Sequence, residues 1–115
     1  MSIFEKGEKM LRAAYQFAAR NIDYRRGETF LVHLPAKLGK TIFRYQNSSG
    51  ITVREEQRDF ILRSEDLNIE PMTGDEIVFD GEIFVVCAPN KEPCWRWHTR
   101  RNSEIRIHTK SVGRE

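Results

Sequence analysis

Apolar positions recur along the chain with two different periods. In the first segment Leu11, Ala14, Tyr15, Ala18 and Ile22 follow the i, i+3, i+4, i+7 spacing of one helical face. Met10, Ala13 and Phe17 form a second stripe beside the first. Glu5 and Glu8 near the start and Arg20 near the end suit the helix macrodipole. The pattern predicts a helix over residues 4–20. Its first stripe covers one face of a sheet, and its second is free to be buried against a neighbouring subunit.

From residue 28 the period changes to two. Phe30, Val32 and Leu34 alternate until Pro35, which is expected to stop the run. After a turn containing Gly39, the side chains of Thr41, Phe43 and Tyr45 share a face, and Asn47-Ser48-Ser49-Gly50 reads as a loop. Asp80-Gly81, between Ile77-Val78-Phe79 and Ile83-Phe84-Val85-Val86, is the strongest hairpin signal in the chain. Phe79, Phe84 and Val86 are expected in the core. Cys94 to His98 and Glu104 to Thr109 give two further strands. The sum is a mainly β fold, a small β-barrel or sandwich with one N-terminal helix packed against it. We expect a single domain over 1–115, with the β region at 28–110 and a flexible tail at 111–115.

Composition agrees with a soluble globular domain: 39% of residues are hydrophobic and 31% charged. No apolar run is long enough for a membrane-spanning helix, and Met1 to Lys6 lacks the layout of a signal peptide. The formal net charge of +2 hides a pattern. Residues 1–54 carry ten Lys/Arg against four Asp/Glu, residues 55–82 two against ten, and residues 83–115 seven against three. Such blocks either cancel in local ion pairs or form an acidic and a basic face suited to head-to-tail association.

Catalytic chemistry is missing from the pattern. There is no phosphate loop, nucleophile elbow or His-Glu-x-x-His motif, so no enzyme is expected and no cofactor is implied. Cys87, Cys94, His98 and His108 supply zinc-type ligands at poor spacing. On one strand, Cys94 and His98 would stand about 13 Å apart. Neither zinc nor a Cys87–Cys94 disulfide is expected. In Cys94-Trp95-Arg96-Trp97-His98, strand alternation puts both tryptophans on one face, and Ile105 and Ile107 are placed likewise. If the two strands pair, these four residues form the buried side, and Arg96, His98, Arg106 and His108 the opposite, basic one. Arg100 and Arg101 would lie in the turn between the strands. That basic side is either simply solvated or binds an anionic partner. For single-stranded nucleic acid the aromatics should interleave with the cations, whereas here they segregate.

Taken in order, four segments carry a family resemblance: Gly74-Asp75-Glu76-Ile77, Asp80-Gly81-Glu82-Ile83-Phe84-Val85-Val86, Cys94-Trp95-Arg96-Trp97 and Arg106-Ile107-His108-Thr109-Lys110. Over roughly residues 55–112 the chain resembles phage head–tail joining proteins, the connector or stopper proteins of tailed phages and prophages. The N-terminal helix and its Arg25-Arg26-Gly27 exit depart from the all-β pattern of stoppers, which leaves stopper, adaptor and diverged relative all open. The resemblance implies a structural virion protein, made in the host cytoplasm and assembled as a ring between portal and tail. Its partners would be other connector subunits, the portal or adaptor protein and tail proteins, with contact to packaged DNA and none to membrane. The interaction surface expected is Arg96, Arg100, Arg101 and Arg106, with apolar area from Phe17. The alternative is a nucleic-acid-binding barrel that uses the same C-terminal basic strands.

Overall fold

The computed structural model describes residues 19–89, 92–99 and 103–115. They form seven strands: β1 (Arg20–Arg26), β2 (Phe30–Gln46), β3 (Thr52–Arg63), β4 (Glu76–Phe79), β5 (Glu82–Val86), β6 (Trp95–Trp97) and β7 (Glu104–Arg114). Neighbours run β3-β2-β1-β4-β5-β7, and β7 pairs back onto β3, so six strands close a barrel. Closure pairs each of the six strands with two neighbours over part of its length. The short β6 lies outside the barrel, on β7.

Two-residue alternation fills the interior. Ile22 and Tyr24 of β1, Leu34 and Ala36 of β2, and Phe60 and Leu62 of β3 point inward. Ile77, Phe84, Val86, Ile105 and Ile107 complete the lining, with Phe79 partly buried beside them. Phe60 meets Phe84 and Phe79 edge-on, at centroid distances of 5.1 and 6.3 Å, a favoured arrangement of aromatic rings. The Asp80-Gly81 tip forms as the sequence predicts: both residues take positive φ, 52° and 76°, the requirement of a tight two-residue hairpin.

At one end of the barrel Asp75 pins the segment between β3 and β4. It accepts from the Tyr24 hydroxyl and from Arg26 through Nε and Nη2, both at 2.8 Å. The Met72 amide adds a fourth donor at 3.0 Å. Leu67, from the same segment, is buried in the core. Burial pushes the Asp75 carboxyl up, but the hydrogen bonds from Arg26, Tyr24 and Met72 outweigh it and hold the group below its usual range. The Tyr24 phenol moves up, through burial and then its bond to Asp75.

Several expectations need correction. Residues 1–18 lie outside the described residues, and with them nearly all of the helix expected over 4–20. Among the described residues there is no α-helix. Arg20 already opens β1, because Ile22 alternates with Tyr24 into the barrel rather than continuing a helical stripe. At the other end β7 runs to Arg114, and the Glu115 amide donates to the Gly81 carbonyl at 2.8 Å. A strand therefore stands where the flexible tail was expected.

Neither Pro35 nor Gly39 ends a strand, and β2 runs through both as one strand of 17 residues. At Pro35 the partner is β1 alone, since β3 joins only from Lys37 onward; a proline is tolerated where one side of the strand is open. Beyond Lys37 the partner is β3 alone. Residues 40–46 and 52–57 thus continue past the barrel as a two-stranded arm. Its turn is held by Asn47 Oδ1, which accepts from the Ser49 and Ile51 amides at 2.9 and 3.1 Å.

Candidate interaction surface

β6 and β7 pair as the alternation predicts: Trp95 opposes Ile107, Trp97 opposes Ile105, and Arg96 opposes Arg106. Burial does not follow evenly. Ile105 and Ile107 line the closed barrel, whereas Trp95 is only partly buried and Trp97 remains 42% exposed. The reason is position, because β6 sits outside the closed ring of strands. The two indoles meet edge-on at 5.4 Å.

On the other face the four expected basic residues divide. Arg96 and His98 are exposed. Arg106 Nη1 instead donates to Asp59 Oδ2 at 2.6 Å, and His108, only 1% exposed, hydrogen-bonds Asp59 Oδ1 through Nδ1 at 2.9 Å. The Thr41 hydroxyl also donates to Asp59, which is fully buried. Burial pushes the Asp59 carboxyl up, yet hydrogen bonds from His108, Thr41 and Arg106 together bring it below its usual range. Arg106 and His108 therefore belong to an internal network rather than to an open basic face. Although its side chain reaches the surface, partial desolvation and then the neighbouring Arg106 charge make the His98 ring harder to protonate; Arg106 Nε lies 3.4 Å from Nδ1.

The two cysteines are free thiols. Cys87 Sγ lies 3.4 Å from Gln57 Oε1, and Cys94 Sγ is 3.7 Å from the Pro71 carbonyl oxygen. Burial pushes the Cys94 thiol up, away from the reactive thiolate form.

Five of the ten acids in residues 55–82 are engaged within the fold. Asp59 and Asp75 are buried among donors. Glu56 pairs with Arg54 at 2.8 Å, Glu76 with Arg25 at 3.0 Å, and Glu65 with Arg63. Local ion pairing accounts for part of the charge segregation seen in the sequence.

Of the residues expected at the interaction surface, Arg96 is exposed on β6 and Arg106 is engaged with Asp59. Arg100, Arg101 and Phe17 lie outside the described residues. The small closed barrel carries β6 on one end of β7, against Ile105 to Ile107, and the Asp80-Gly81 hairpin at the other, where Glu82 pairs with Arg114. A sequence model of phage head-tail joining proteins matches residues 1–115. The chain belongs to this family. Comparison with curated proteins finds no match. As a head-tail joining protein the chain is a structural component of the virion that interacts with phage head and tail proteins.

Four exposed cations escaped the sequence reading: Lys40 and Arg44 on β2, and Arg54 and Arg58 on β3. Their spacing of four residues in each strand was visible. That they face one another was not, because facing depends on the β2–β3 register.

Proposed function

We propose that this head-tail joining protein is a non-enzymatic connector subunit that assembles as a ring between portal and tail. It completes the head and presents the surface on which the tail docks. The observation that carries the reading is the family match across residues 1–115. The assembly surface is built on Arg96, Arg100 and Arg101, with apolar burial supplied by Phe17. Exposed charges add little affinity each, so they set register while apolar contact supplies most of the binding energy. The test is complementation of particles made without the protein. Heads and tails should accumulate unjoined, and added purified protein should join them, with a ring visible at the junction in averaged micrographs. The Arg100→Glu and Arg101→Glu double variant should melt like the wild type and fail to join. Tailed particles formed without the protein would refute the reading.

A further inference from the structure

The arm formed by β2 and β3, together with its base at Arg58 on the barrel rim, carries an arrangement that folding alone does not favour. In the register Lys40 stands opposite Arg58, and Arg44 opposite Arg54. Directly opposed like charges destabilise a strand pair. All four side chains lie on one face, because opposed residues share a face and positions four apart along a strand return to it. All four are exposed. The acid on that face of the arm is Glu56, which pairs with Arg54 at 2.8 Å. Among the described residues Lys40, Arg44 and Arg58 have no ion-pair partner.

We propose that this face binds the phosphate backbone of duplex DNA. Two features favour DNA over an acidic protein surface. Four cations against one engaged acid make a positive strip on these two strands, and where Lys40 and Arg58 line a cavity with Glu82 the further cation Lys110 lines it too. The two opposed pairs are four residues apart, about 13 Å along the strands, close to the roughly 12 Å width of the major groove; each pair reaches one of the phosphate strands flanking it. The arm tip, Asn47-Ser48-Ser49-Gly50, is uncharged and brings no repulsion. Contact through phosphate is independent of base sequence.

The test is fluorescence anisotropy of a labelled 30-base-pair duplex of arbitrary sequence with the full chain, at salt from 50 to 200 mM. With four phosphates neutralised, affinity should fall about a hundredfold across that range. The variant Lys40→Gln, Arg44→Gln, Arg54→Gln, Arg58→Gln should bind at least tenfold more weakly at 100 mM and lose most of the salt dependence. It should melt no lower than the wild type, because repulsion across the arm is relieved. If it fails to fold, the half-variants Lys40→Gln/Arg44→Gln and Arg54→Gln/Arg58→Gln give the same comparison with half the effect. An Arg96→Gln variant should bind DNA like the wild type. The proposal is overturned if the wild type does not bind at 50 mM salt, if folded arm variants bind unchanged, or if polyglutamate of equal charge binds as tightly as the duplex.

Discussion

Asp59 on β3 and His108 on β7 stand opposite each other in the register and share a 2.9 Å hydrogen bond where both are shut off from water. Arg106 and Thr41 direct their donors at the same carboxylate. Removing one partner of a buried ion pair strands the others, at a cost of about 3–5 kcal/mol. Asp59→Ala should therefore lose about that much in urea unfolding, more than any single change among the exposed arm cations. A loss below about 1 kcal/mol would mean that the network contributes nothing net.

Acid should unfold the protein through Asp59 and Asp75. Both carboxyls are held below their usual range in the folded state, so the unfolded chain takes up protons first, near its ordinary value of about 3.9. Their contribution is complete above that pH and is lost as pH falls through the lower folded values. His98 adds to the loss in the same sense, starting at higher pH, since its folded ring also binds a proton less readily than the unfolded one. Urea midpoints between pH 2 and 7 should decline mainly below pH 4. The decline should be shallower in a variant carrying both Asp59→Asn and Asp75→Asn, and equal slopes would rule these two groups out.

Tyr24→Phe should cost about 1–3 kcal/mol, the range for leaving a buried acceptor short of a donor, because the Tyr24 hydroxyl donates to Asp75. Arg26 and the Met72 amide remain on the carboxylate, which keeps the loss below that of removing Asp75 itself. The loosened region should be the segment between β3 and β4. Limited proteolysis should then cut at residues 64–74 in the variant before the barrel strands are attacked.

The same residues mark what a sequence can tell. Alternation places Ile105 and Ile107 opposite Trp95 and Trp97, and Asp80-Gly81 at a hairpin tip, because each depends only on local periodicity and turn chemistry. Burial of His108 was hidden, since alternation assigns it to the face opposite Ile107 without saying that Asp59 waits there on β3, 49 residues away. The paired cations Lys40 with Arg58 and Arg44 with Arg54 were hidden for the same reason: they need the register of two strands. Pro35 misled because its rule concerns strands with neighbours on both sides, and β2 has one there.

Gly39 offers the most discriminating substitution. It opposes Asp59 in the register, and a Cβ added there would lie 3.2 Å from Arg106 Nη1 and 3.4 Å from Ile61 Cδ1. Its bare backbone leaves room for the guanidinium that reaches across β3 to Asp59. Gly39→Val should push Arg106 away and cost about 1–3 kcal/mol, the range for overpacking a filled site. In an Arg106→Ala background the obstruction is gone. There the general advantage of a β-branched residue over glycine in a strand should emerge, and Gly39→Val should stabilise by about 0.5 kcal/mol. A double-mutant cycle by urea unfolding reads this as a change of sign. If Gly39→Val costs the same in both backgrounds, the glycine is there for some reason other than Arg106.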